Sequence, residues 1–179
     1  MSEVKKQVIS KPRLILVTGQ VGAGKTSYSL AQAEQIQAVC FSIDSWMQTL
    51  FVPDTDIKNP NYDWMIERVY RCYDQIWQTA SQILQTGGHV ILDLGFTERA
   101  QRQQFIDKGL SIGVQAELHY LNVDTNIRKQ QVAKRNTEKD PKLYAFEVTE
   151  QMFDFMETRF EVPSADELQH GKTITRALI

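Results

Sequence analysis

The chain has 179 residues and a formal net charge of −2, with 42% hydrophobic and 23% charged residues. That is ordinary globular composition, long enough to bury a core, and it promises no global basic field for nucleic acid. The sequence holds no run of 18 apolar residues, and Met1–Lys11 lacks the apolar core of a secretory signal, so a soluble cytoplasmic protein with no membrane contact is expected. Residues 1–11 read as a flexible arm and residues 12–179 as a single domain. Leu14-Ile15-Leu16-Val17 is apolar and β-branched, which predicts a buried parallel strand over about 13–18. From Thr26 to Gln37 there is no Gly or Pro, and a helix is predicted over about 25–37. Val39-Cys40-Phe41-Ser42-Ile43 reads as a second short strand ending at Asp44, with one or two helical turns over 44–51 and a polar loop through Pro53, Asp54, Asn59 and Pro60. Over 61–86, Tyr62, Met65, Ile66, Val69, Tyr73, Ile76, Trp77, Ala80, Ile83 and Leu84 recur at spacings of three and four, a long helix with one buried face. Gly87-Gly88 ends it. His89-Val90-Ile91-Leu92-Asp93 is the third strand. A helix over about 97–108 and a strand over about 114–121 follow. Asp124 caps a polar helix at about 125–136, and a helix at 149–159 and a weak strand at 172–177 complete the chain.

Strands alternating with helices predict an α/β fold, a mostly parallel sheet with helices on both faces and ligands at the carboxyl ends of the strands. Cys40 and Cys72 have no metal-like spacing and read as reduced structural thiols. His89, His119 and His170 are scattered, which argues against a zinc site.

The chemistry sits between the first strand and its helix. Gly19-Gln20-Val21-Gly22-Ala23-Gly24-Lys25-Thr26 is G-x-x-x-x-G-K-[ST], the phosphate-binding P-loop, and strand, glycine loop and helix are the context that confirms it. Gly22 and Gly24 permit φ > 0 and close approach to an oxygen. Successive N–H groups, continuing to Ser27, then form an anion nest backed by the positive end of the helix. Lys25 supplies a cation for the β- and γ-phosphates, and the Thr26 hydroxyl is a ligand for Mg²⁺.

Two further strands end on carboxylates. Asp93 closes Val90-Ile91-Leu92, as a Walker B acid would, and can hold Mg²⁺ directly or through water, or cap a loop. Asp44 is a candidate general base for a hydroxyl, or an N-cap for the turn at Ser45-Trp46. In a parallel sheet both should face Lys25. Arg128 and Arg135, seven apart on the helix that also carries Lys129 and Lys134, share a face from which a guanidinium can stabilise phosphoryl transfer; a solvated basic face is the alternative. Arg99 and Arg102 read equally well as substrate contacts and surface charges. Trp46, Phe51 and Trp64 line a substrate pocket or pack the core.

Together these features resemble the small P-loop kinases related to polynucleotide kinase, zeta toxin and chloramphenicol phosphotransferase. The resemblance covers about 13–162 and rests on the loop at 19–26, Ser42-Ile43-Asp44, Val90-Ile91-Leu92-Asp93-Leu94-Gly95-Phe96 and the helix ending near Arg135. It implies a P-loop NTPase three-layer sandwich with a five-stranded parallel core, a helical lid at about 125–140, ATP with Mg²⁺, and transfer of the γ-phosphoryl group to a hydroxyl. It implies Asp44 as base and Arg135 on the ATP phosphates. Many relatives carry two arginines four apart on that helix; here the pair is Gln131 and Arg135, and Arg128 is the candidate substitute. The acceptor is not named by the sequence: a small molecule or nucleotide is favoured, and a polynucleotide 5′-hydroxyl is open but needs a basic groove that the net charge does not promise. A nucleotide-dependent switch or regulatory ATPase without acceptor is the competing class. No Asn-Lys-x-Asp stretch favours GTP. Oligomeric state is not legible.

Overall fold

Strand β1 (Leu14–Gly19) is buried at every position, as a β-branched apolar run placed mid-sheet must be. It lies at the centre of a five-stranded sheet of order β2-β3-β1-β4-β5, formed with β2 (Val39–Ser42), β3 (Val90–Asp93), β4 (Ala116–Val123) and β5 (Lys172–Arg176). Every pairing is parallel. The computed structural model describes residues 11–54, 61–140 and 147–176. The expected arm therefore lies, apart from Lys11, outside the described residues, as do Asn59 and Pro60 of the expected loop.

Alternation along β1 sorts the two faces. Leu14 and Leu16 point into a cluster with Phe41 of β2 and with Met47, Ile76, Leu84 and Phe105, contributed by α2 (Ile43–Leu50), α3 (Tyr62–Gln85) and α4 (Arg99–Ser111). Ile15 and Val17 point the other way, to Ala33 of α1 (Lys25–Ile36) and to Leu121 and Val123. Helix α5 (Thr125–Glu138) adds Ile127 to that second face. Because α1 leaves β1 toward one face and α3 and α4 cover the other, a crevice opens at the carboxyl ends of β1 and β3.

Local chemistry sets the helix ends. Asn61 caps α3 by accepting from the Trp64 N–H at 3.0 Å, and Asp124 caps α5 by accepting from Asn126 N–H at 2.8 Å. Ser42, not Asp44, caps α2, accepting from Ser45 N–H, so the cap alternative for Asp44 does not hold. The α3 stripe is buried at Ile76, Ala80 and Leu84, but Ile66 stands 53% exposed. Trp46 and Phe51 pack against the core cluster, and Phe51 meets Trp64 edge-on at 6.2 Å.

Two arginines are wholly interior. Arg102 of α4 is neither a surface charge nor a substrate contact: it is paired with Glu167 at 2.6 Å, with both side chains almost fully buried. That pair ties the segment before β5 to α4. Arg128 of α5 is paired with Glu157 of α6 (Glu150–Arg159) at 2.6 Å. A buried guanidinium survives desolvation only with near-complete hydrogen bonding, which both arginines have.

His119 of β4 is also interior. It meets the Tyr28 hydroxyl at 2.9 Å, and burial pushes its pKa down to about 4, so it is a neutral packing residue. His89 accepts the Arg13 N–H at 3.1 Å. Cys40 and Cys72 are unpaired.

Candidate active site at the carboxyl ends of the first and third strands

The loop after β1 is shaped by two glycines. Gly22 has φ +77°, and a Cβ there would lie 2.6 Å from the Arg128 carbonyl oxygen, so only glycine lets α5 close against the loop. Gly24, at φ +83°, turns the chain into α1 and leaves the first N–H groups of the helix pointing into the crevice. Ala23 instead turns its methyl into the second core cluster, and only its backbone is available to a ligand.

Lys25 opens α1. Its Nζ donates to the carbonyls of Gly19 and Gln20 at 2.8 and 3.1 Å. Burial pulls its pKa down, opposed by the negative charges of Asp93 and Asp44. Next along the helix, the Thr26 hydroxyl donates to Asp93 Oδ2 at 2.9 Å, which brings the end of β3 onto the start of α1. Asp93 is 5% exposed; burial raises its pKa, while Lys25 and the Thr26 hydrogen bond hold it down. Adjacent Thr hydroxyl and carboxylate oxygens are the hard donors that Mg²⁺ takes, and phosphates and water complete such a set. No group of three or more His, Cys, Asp or Glu side chains suited to a metal occurs among the described residues, so a multi-carboxylate cage is not the design here.

The crevice is a cavity of about 440 Å³. Gly19, Gln20, Val21, Gly22, Gly24, Lys25, Thr26 and Ser27 line one side. Asp44, Asp93 and Thr97 line the strand ends, and Gln131, Lys134 and Arg135 reach it from α5. Arg135 carries a buried Nε with no hydrogen-bond partner, an unspent donor in a cavity wall.

Arg128 does not reach this cavity, which corrects its expected place among the catalytic groups. Its Nε donates to the Val123 carbonyl at 2.9 Å, one terminal nitrogen to Glu157 and to Val21 O at 3.3 Å, and the other to Thr125 and Glu157. With its donors consumed, it fastens the P-loop carbonyl of Val21 to α5 and α6. It is a positioning residue. The shared face with Arg135 is real on the helix, but the first arginine lies at the buried end and the second at the open one.

A second cavity of about 340 Å³ meets the first at Ile43, Asp44, Gly95 and Thr97. The partition between them is the turn after β3. Its left-handed residues, Gly95 at φ +88° and Phe96 at φ +48°, are held from three sides. Tyr73 Oη donates to Leu94 O at 2.7 Å, and Thr18 Oγ1 and Arg102 donate to Phe96 O at 2.9 and 3.2 Å. A non-glycine residue in that conformation costs roughly 1–2 kcal/mol, which the buried Phe96 ring against Phe105 offsets. Asp44, exposed in the first turn of α2, is the one carboxylate among the described residues that lines both cavities. Sequence reasoning missed Gly95, Thr97, Gln131 and Lys134 as cavity residues. The Asp93-Leu94-Gly95 run was the available signal for the first two.

Residues 14–163 match the model of the family described as AAA domain. No curated protein matches the chain. Among solved structures the chain is similar to a Chloroflexus aurantiacus protein assigned as a kinase, with TM-score 0.71, 17% identity, and 93% of this chain and 89% of that one covered. It is similar to a gluconokinase from Sinorhizobium meliloti, with TM-score 0.62, 13% identity, and coverage of 94% and 85%. It is also similar to the Mycobacterium tuberculosis APS kinase CysC, solved with AMPPNP and APS, with TM-score 0.60, 13% identity, and coverage of 92% and 88%. At these identities the likeness is one of fold, and the fold is the α/β P-loop kinase type.

Proposed function

The chain belongs to the AAA domain family and has a P-loop kinase fold, and from that premise we propose that it is an ATP-dependent phosphotransferase that moves the γ-phosphoryl group to a hydroxyl acceptor. The observation that carries this reading is the place of Asp44. A switch that only hydrolyses nucleotide has no need of a second cavity, whereas here a carboxylate stands where two cavities join, one lined by the P-loop and one not.

The roles follow from position. The backbone N–H groups from Gly19 to Ser27 and the N-terminus of α1 hold the phosphates. Lys25 exchanges its two loop carbonyls for phosphate oxygens, which suits a cation whose charge burial has made costly. Thr26 and Asp93 would hold Mg²⁺, which when bound spreads the charge of the phosphates. Arg135 directs its free donor at charge that builds on the transferring group. Asp44 accepts the acceptor's proton once the hydroxyl sits within about 2.6–3.2 Å. The unpaired thiols Cys40 and Cys72 suit a reducing, cytoplasmic setting.

Incubation of the full chain with Mg²⁺, γ-labelled ATP and a metabolite extract tests the reading. A labelled small product is expected. Free phosphate alone would support the regulatory ATPase instead. In the Asp44→Asn variant, labelling should fall by about 10²–10⁴-fold with ATP affinity nearly unchanged, because a general base contributes in the transition state.

A further inference from the structure

The second cavity defines the chemistry of what it takes. Its walls are largely apolar: Met47 of α2, Val52, Met65 and Val69 of α3, and Phe96 enclose it. The thioethers of Met47 and Met65 fit irregular apolar shapes. Besides Asp44, the polar side chains among the described lining residues are Gln48, Thr97, Gln101 and Tyr73, whose hydroxyl is engaged with Leu94 O. Among the described residues that line it there is no lysine, arginine or histidine, and its one charged side chain is Asp44. Among the described residues, the cations Lys25, Lys134 and Arg135 line the nucleotide cavity instead.

Resting on the phosphotransferase reading, we propose that the acceptor is an uncharged alcohol with an apolar body, seated in the second cavity with its hydroxyl at Asp44, and that anionic acceptors such as sugar acids and phosphorylated metabolites are rejected. An anion here would give up its hydration for a largely apolar wall, with no cation among the described lining residues to pair it. It would also stand beside the negative Asp44. An apolar body loses nothing by the same move and gains the burial of its surface. The step balances without a further reactant. The acceptor oxygen forms a bond to the γ-phosphorus, and the bond from that phosphorus to the β–γ bridging oxygen breaks. The electron pair leaves with ADP, and the hydroxyl proton passes to the Asp44 carboxylate and then to solvent. The negative ester that results fits the cavity worse than the alcohol did, which favours its release.

The test sets two groups of hydroxyl compounds against each other with the full chain, Mg²⁺ and γ-labelled ATP. The neutral group is 3-phenyl-1-propanol and cyclohexylmethanol; the anionic group is gluconate, glucose 6-phosphate and adenosine 3′-monophosphate. Labelled ester from the neutral group, with kcat/KM above the anionic group by about 10–100-fold, is the expected result. Val69→Lys should raise KM for the neutral alcohols by about tenfold or more and narrow the gap to the anions, with ATP affinity by calorimetry unchanged. A preference for the anionic group overturns the proposal and leaves the phosphotransferase reading intact. Release of unesterified phosphate with neither group labelled overturns both.

Discussion

Arg128 and Arg135 stand seven residues apart on α5 and carry the same charge, yet they belong to different parts of the molecule. Arg128 is 1% exposed and spends its donors on Val123, Val21, Thr125 and Glu157. Arg135 lines the nucleotide cavity and keeps its Nε unpaired. A guanidinium is useful to a reaction only where protein has left its donors unspent. The same group with every donor satisfied is a rivet: it fixes the P-loop against α5 and α6 and offers nothing to a substrate.

Replacing each arginine by methionine turns this contrast into a measurement. Arg135→Met should lower turnover of γ-labelled ATP by about 10³-fold, the scale of an arginine aimed at transferring phosphoryl oxygens, with stability within roughly 0.5 kcal/mol of the parent by urea unfolding. Arg128→Met should do the reverse in kind. Removing the interior guanidinium leaves Glu157, one-quarter exposed, without its partner, and the unfolding free energy should fall by about 2–3 kcal/mol. If Arg128→Met is as stable as the parent, or Arg135→Met as destabilised as Arg128→Met is expected to be, the division between rivet and reagent is wrong. A smaller loss of about 1–2 kcal/mol is expected for Glu157→Gln, and the double variant should be less destabilised than the sum, since both changes break one contact.

The gentlest effect concerns pH. His119 is held in its neutral form by burial, with a pKa of about 4 against an ordinary 6.5. The unfolded chain therefore binds a proton that the folded chain refuses between those values. Stability from this source is complete above about pH 6.5 and is lost as pH falls toward 4. Glu117, held below the usual carboxylate range first by its hydrogen bond from Arg13, acts in the same direction at lower pH. His119→Gln should flatten the drop in urea midpoint between about pH 7 and pH 5; an unchanged slope would place the proton uptake elsewhere.

How much of this was legible beforehand tracks the range of the interactions involved. The P-loop is a local object: its glycines, lysine and threonine are adjacent in sequence, and their geometry follows from φ preferences and a helix start. The first four strands were legible because largely apolar runs of the right length have few other fates, and Asp44 and Asp93 followed from where two of them stop, whereas β5, Lys172-Thr173-Ile174-Thr175-Arg176 and mostly exposed, gave only a weak signal. The fate of Arg128 was not legible. Helical spacing places it with Arg135, but only Glu157, 29 positions on, and the Val21 carbonyl decide that it is buried. Arg102 was opaque for the same reason, its partner Glu167 lying 65 positions away. The second cavity hinges on a left-handed Phe96, a conformation that no residue preference announces.

The claim on which the rest depends is that the turn after β1 takes up the terminal phosphates of Mg·ATP through Lys25 with Asp44 standing clear of the nucleotide. Calorimetric titration of a non-hydrolysable ATP analogue with Mg²⁺ into the full chain, Lys25→Ala and Asp44→Asn measures it directly. Saturable binding is expected for the parent and for Asp44→Asn, weakened by about tenfold or more in Lys25→Ala. Failure of the parent to bind the analogue, or equal binding by Lys25→Ala, would contradict it.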